Sequence, residues 1–146
     1  MDNLNESQRS YCMSHIRAKN TKPELVVRQV LHKLGYRFRL HRRDLSGVPD
    51  IVLPRYRTVI FVHGCFWHQH PGCNRARVPR SNIEYWSGKL ATNIERNKEA
   101  ITQLELSGWQ VLIIWECETE QLEHLTTRIL WLLSVSGNPT SITSIV

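Results

Sequence analysis

The chain has 146 residues, 41% of them hydrophobic and 22% charged, a size and balance expected of one soluble globular domain and not of a disordered chain. Nineteen Lys and Arg against thirteen Asp and Glu leave a net charge of +6. That balance suits a polyanionic partner, with a solvated basic face as the plainer reading. No apolar run approaches the roughly 20 residues of a bilayer span. The first residues lack the charged-then-apolar order of a secretory signal, so the cytoplasm is the expected compartment. Cysteines there bind metal more often than they pair, and the chain has four.

Residues 1–20 are polar and weakly periodic, as in an arm or loose helix. Thr21-Lys22-Pro23-Glu24 opens a helix with a Thr cap and a Glu three residues on, and Gly35 closes it. Tyr36 to His41 alternates, with Tyr36, Phe38 and Leu40 on one face and Arg37, Arg39 and His41 on the other, which predicts a strand with one wet, basic side. Ser46 to Pro49 reads as a turn and Asp50 to Leu53 as a short strand. Pro54 to Arg57 is another turn, and Thr58 to Val62 is a strand apolar on both faces, hence central. Residues 74–82 form a basic loop. A long helix follows from about Ile83 to Ser107, with Leu90, Ile94, Ile101 and Leu104 on one stripe. Trp109 to Trp115 reads as a second buried strand, and a last helix spans about Gln121 to Leu133. Residues from about 137 to 146 read as a flexible tail. The expected architecture is one α/β domain, a small mixed sheet flanked by helices.

The chemistry concentrates in residues 61–73, which hold three histidines, two cysteines and the adjacent pair Phe66-Trp67. Cys65, His70 and Cys73 are spaced as the local part of a tetrahedral zinc site, and Cys117, at the end of the second buried strand, is the candidate fourth ligand. Two reduced cysteines and a surface histidine are the plain alternative. Asp50, after Pro49, faces the next strand across a hairpin. It is a candidate Mg²⁺ ligand or simply a turn residue. His63 and His68 can carry protons near neutral pH, or be structural. Phe66, Trp67 and Trp86 can stack on bases or fill a core. Arg75, Arg77 and Arg80, like the runs Arg37 to Arg43 and Arg55 to Arg57, are candidate phosphate contacts. Glu24 has its capping partner Thr21 as sufficient explanation.

One family shares this pattern. Arg9-Ser10 with Met13 and Ile16, Thr21-Lys22-Pro23-Glu24, Gly47-Val48-Pro49-Asp50, Val59 through His68, Val78-Pro79, Glu84-Tyr85-Trp86, Asn93, Glu95-Arg96, Gly108 through Leu112 and Trp115-Glu116-Cys117 together resemble the very-short-patch-repair (Vsr) DNA mismatch endonucleases. The resemblance covers residues 9 to 117, and the run His63-Gly64-Cys65-Phe66-Trp67-His68 is its most specific part. It implies a restriction-endonuclease-like fold. It implies a nick 5′ of the thymine in a T:G mismatch left by deamination of 5-methylcytosine. Asp50 would then be the principal Mg²⁺ ligand, helped by the Val62 carbonyl. His68 would be the general base, His63 would act beside it, and Glu24 would touch a water of the metal. Cys65, His70, Cys73 and Cys117 would hold a structural Zn²⁺. Met13, Phe66, Trp67 and Trp86 would wedge into the duplex. The implied partners are double-stranded DNA with a T:G mismatch and general mismatch-repair proteins, met by a monomer with no membrane contact. Asn97 departs from the pattern by standing where many relatives carry an acid, and the loop between His68 and Cys73 is one residue longer than in some. Two competing expectations remain: a nuclease of the same fold cutting matched sites, and a zinc-stabilised DNA-binding module without catalysis.

Overall fold

The computed structural model describes residues 20–136. Helix α1 spans Lys22–Lys33, α2 Ile83–Leu106 and α3 Leu122–Ser136. The strands are β1 (Arg39–Leu40), β2 (Ile51–Leu53), β3 (Thr58–His63) and β4 (Gln110–Trp115), with 3₁₀ turns at Pro54–Tyr56, Asn74–Ala76 and Glu116–Glu120. The sheet order is β1-β2-β3-β4. β1 and β2 run antiparallel, as do β2 and β3, while β3 and β4 run parallel in the register His63↔Trp115. No described helix is long and apolar enough to cross a membrane. The expected N-terminal arm, with Met13, and the expected tail over 137–146 lie outside the described residues.

Side-chain alternation along the strands builds two cores, one on each face of the sheet. Ile51, Leu53, Ile60, Leu112 and Ile114 point to one face, where they meet Val27, Val30 and Leu31 of α1 and Leu125, Ile129 and Leu133 of α3. Val52, Val59 and Phe61 point to the other, against Leu104 of α2 and Trp109. The result is three layers, helices α1 and α3, sheet, then α2. On the apolar stripe of α2, Leu90, Ala100 and Leu104 are buried, while Ile94 and Ile101 are only half-buried.

Two expected strands differ from the structure. The strand expected over Tyr36 to His41 shrinks to Arg39–Leu40, and both residues are exposed. It is an edge strand with two paired positions, and His41 has a left-handed backbone (φ +48°), which turns the chain away from the sheet. The strand expected to be central near the C-terminus, β4, has β3 as its one partner among the described residues.

The turn before β2 depends on glycine. Gly47 has φ +72°, and a Cβ there would lie 2.6 Å from the Cβ of Ala100 and 3.3 Å from Phe61 Cζ. This close approach to α2 and β3 sets the path of Val48-Pro49 into Asp50. Val48 itself takes a positive φ of 45° despite its β-branched side chain. Such a conformation costs about 1–3 kcal/mol and persists because its neighbours enforce it.

Candidate active site and metal centre

Two groups of ligating side chains sit at one end of the sheet, where β2 begins and β3 and β4 end. The first joins Glu24, His41 and Asp50, whose ligand atoms all lie within 4.8 Å of one another. The capping box brings Glu24 there. Its Oε2 accepts from the Thr21 N–H at 3.2 Å, and its own N–H donates to Thr21 Oγ1 at 3.4 Å. The other oxygen, Oε1, meets Arg28 Nη2 at 3.0 Å and His41 Nε2 at 2.5 Å. Glu24 is therefore both the cap and a member of the site, and it is 1% exposed. A carboxylate so buried needs these cationic and hydrogen-bonding partners.

Asp50 Oδ2 accepts a hydrogen bond from the Val62 N–H at 2.8 Å. That contact is made by the Val62 amide, and the carbonyl of the same residue is the group that the resemblance assigns to the metal. Burial raises the Asp50 carboxyl to about 6. The Val62 N–H opposes the shift and the Glu24 charge adds to it. A carboxylate held near neutral pH beside a second acid is ready to trade its proton for a cation.

His63 follows Val62 and is 3% exposed. Its ring stacks on that of His68, with centroids 3.7 Å apart and planes 6° from parallel. Burial and then the neighbouring His68 lower His63 to about 3, with Asn97 on α2 a weaker opposing influence. Neither ring nitrogen of His63 reaches a partner at hydrogen-bond geometry, and neither does Nδ1 of His68. Burial lowers His68 too. Both imidazoles are neutral at pH 7 and can accept protons.

The second group is Cys65, His70, Cys73 and Cys117, again with ligand atoms within 4.8 Å of one another. His70 Nδ1 lies 3.6 Å from Cys65 Sγ and 3.5 Å from Cys117 Sγ. A tetrahedral centre with zinc–sulfur bonds of about 2.3 Å and zinc–nitrogen bonds of about 2.0–2.1 Å separates sulfur from nitrogen by about 3.6 Å. The four side chains thus fit a closed zinc site. The loop is tied as well by backbone. The Cys65 N–H donates to Glu116 Oε1 at 3.2 Å, and the Gln69 side-chain amide donates to the carbonyls of Phe66 and Ala76 at 2.7 and 3.0 Å. Burial, reinforced by the facing Cys117 and Cys73 thiols, pushes the metal-free Cys65 thiol up to about 12. A cation is what would hold it as thiolate.

The aromatic candidates converge. Phe66, Trp67 and Trp86 contact one another at 5.3 to 5.9 Å, although Trp86 comes from the first turns of α2. All three are half-buried and belong to neither core. Tyr85, 58% exposed, extends the group, and Lys89 Nζ lies 5.5 Å from the Trp67 ring centre. The arginines do not converge. Arg75 forms an ion pair with Glu120, while Arg77 and Arg80 are exposed and follow the cysteine-bearing loop in sequence. Arg57 and Arg42 lie over Trp109 at 4.4 and 5.7 Å. Arg37, Arg39 and Arg55 line a cavity of about 800 Å³ with His32, at the other end of α1 and β2 from Glu24 and Asp50. The site residues that sequence reasoning passed over are His41 and Arg28. His41 was placed on a wet strand face, and the signal lacking was the left-handed turn that redirects it.

Comparison with known proteins gives a consistent result. The family model described as DNA mismatch endonuclease Vsr matches residues 1–75. Type II nicking enzyme V.XorIIP of Xanthomonas oryzae pv. oryzae is 48% identical over 128 residues, 88% of this chain and 93% of that protein. Type II nicking enzyme V.NmeAIP of Neisseria meningitidis is 44% identical over 117 residues, 80% of this chain and 83% of the relative. DNA mismatch endonuclease Vsr of Escherichia coli is 40% identical over 125 residues, 86% of this chain and 80% of the relative. A chain that matches at this level over most of its length, and that carries the paired acids, imidazoles and cysteine cluster described above, belongs to the Vsr family of DNA endonucleases.

Proposed function

We propose that this protein is a Mg²⁺-dependent endonuclease that nicks duplex DNA 5′ of the thymine of a T:G mismatch, on a restriction-endonuclease-like fold stapled by a structural Zn²⁺. The observation that carries the reading is the position of Asp50. It lies next to buried Glu24 and is held by the N–H of Val62, the residue before His63, whose ring stacks on that of His68. Asp50 and Glu24 would hold the Mg²⁺, which would supply charge neutralisation at the scissile phosphate. His68 accepts the proton of the attacking water, and His63 backs it at the phosphate. Water adds to phosphorus, the bond from phosphorus to the leaving oxygen breaks, and that oxygen takes up a proton from solvent, to which His68 later returns its own. Glu24, oriented by His41 and Arg28, keeps a second negative charge beside Asp50 and so favours occupancy by a divalent cation.

The aromatic group supports the mismatch half of the proposal. Phe66, Trp67 and Trp86 are half-buried against one another outside both cores. Wedging them between base pairs costs a few kcal/mol per unstacked step, which ring–base stacking offsets. A T:G wobble pair is easier to open than a matched pair, so the balance favours the mismatch.

Asp50→Asn tests the chemical centre. Asparagine keeps an acceptor for the Val62 N–H and removes the charge. Single-turnover nicking is expected to fall by about 10³-fold or more, with T:G duplex affinity in EDTA unchanged. Near-normal nicking by this variant would place the metal centre elsewhere.

A further inference from the structure

Four aromatic rings form a continuous chain of contacts from His70 of the cysteine cluster to the two imidazoles proposed for catalysis. His70 lies flat on the Trp115 indole, with centroids 4.1 Å apart and planes 10° from parallel. Trp115 meets His63 edge to face at 5.3 Å and 75°. His63 in turn lies flat on His68. The parallel register explains the arrangement. His63 and Trp115 end β3 and β4 as ladder partners, so their side chains leave the sheet on the same face. Each precedes a cysteine of the cluster by two positions, Cys65 and Cys117. The loop from Gly64 to Cys73 then folds back, so that His68 covers one strand-end ring and His70 covers the other.

No well-aligned hydrogen bond sets the plane of His63, although the Asn97 side chain on α2 is close enough to act on it. Both ring nitrogens of His63 and Nδ1 of His68 are buried without a partner. The second torsion of a histidine is broad and roughly two-fold, so a ring without hydrogen bonds is oriented only by the surfaces against it. For His63 the rings among those surfaces are His68, Phe61 at 5.8 Å and Trp115, with the Asn97 side chain also against it. Among the described residues, Trp115 is the one ring in contact with both His63 and His70.

We propose that Trp115 is a positioning residue for strand cleavage. Its indole clamps the plane of His63, and through it that of His68, and ties both to the loop held by the cysteines. The proposal rests on the reading of His63 and His68 as the catalytic pair. Trp115 itself touches no reacting atom.

The test is a double-mutant cycle on single-turnover nicking of a T:G duplex at saturating enzyme, with zinc content and duplex affinity measured for every variant. Trp115→Met fills much of the volume without flat faces, and Trp115→Phe keeps a flat ring. Trp115→Met is expected to nick about 10²-fold more slowly, the scale of a displacement of about 1 Å at a reacting group, with zinc content and affinity unchanged. Trp115→Phe should stay within about tenfold of the parent. In the His63→Ala background, Trp115→Met should cost nothing further, because its effect runs through that ring. Should Trp115→Met lose zinc, the cycle with Trp115→Phe decides, since its smaller loss must vanish in the same way. Full-speed nicking by Trp115→Met, or an equal loss in both backgrounds, would overturn the proposal. Near-normal nicking by His68→Ala alone would remove the catalytic reading of His68, and the proposal with it.

Discussion

Asp50 is the residue where function and stability pull in opposite directions. Its carboxyl is raised from 3.8 to about 6. The folded protein therefore keeps a proton that the unfolded chain has already lost between those values. Stability from this group is full below about pH 4, declines as the pH rises through about 6 and stays low above it. His63 has the opposite slope. With its folded value near 3 against 6.5, it costs nothing at neutral pH and destabilises progressively as the pH falls below 6.5. At pH 7 without divalent cations the Asp50 charge is thus a net burden on the fold. Asp50→Asn is expected to raise stability there by roughly 2–3 kcal/mol, and by much less at pH 4. Millimolar Mg²⁺ should raise the Tm of the parent and not that of the variant. Thermal unfolding at the two pH values, with and without Mg²⁺, checks both statements. A variant less stable than the parent at pH 7 would mean that the carboxylate is already compensated within the protein.

The element that joins both sites is the loop from Gly64 to Cys73. It carries His68, the proposed general base, Phe66 and Trp67, the proposed wedges, and three of the four residues of the cysteine cluster. Only Cys117 comes from another element, and it staples the loop to the end of β4. Cys117→Ser is expected to lose zinc and to lower stability by about 3–5 kcal/mol, and a chelator should reproduce that loss in the parent. Elemental analysis finding no zinc in folded, active protein would contradict the assignment. Much of this element was readable in sequence, because Cys65, His70 and Cys73 are local and the spacing of metal ligands is short-range geometry. The capping box of Thr21 and Glu24 was equally legible. The role of His41 was not. Alternation placed it on a strand face, but the strand stops at Leu40 and a left-handed residue sends the imidazole to Glu24. Trp115 read only as a buried strand residue, since stacking between β4 and a loop some 45 residues earlier has no local pattern. The meeting of Trp86 with Phe66 and Trp67 is likewise a tertiary event, indicated in sequence only by the family resemblance.

At the scale of the molecule, the runs of arginine among the described residues do not become one basic face. Arg42 and Arg57 are turned onto Trp109, and Arg37, Arg39 and Arg55 gather at the end of α1 and β2 away from Asp50. The proposed preference for a mismatched duplex therefore rests on the aromatic group of Phe66, Trp67 and Trp86 and not on these arginines. The measurement that tests this most directly compares nicking of two end-labelled duplexes of one sequence, differing only in T:G or T:A at a single position, in Mg²⁺ and in EDTA, with cleavage mapped to the nucleotide. The account predicts one nick, 5′ of the mismatched thymine and in its strand, on the T:G duplex and only with Mg²⁺. Comparable cutting of the T:A duplex, cutting in EDTA, or tight binding without any cut would contradict it.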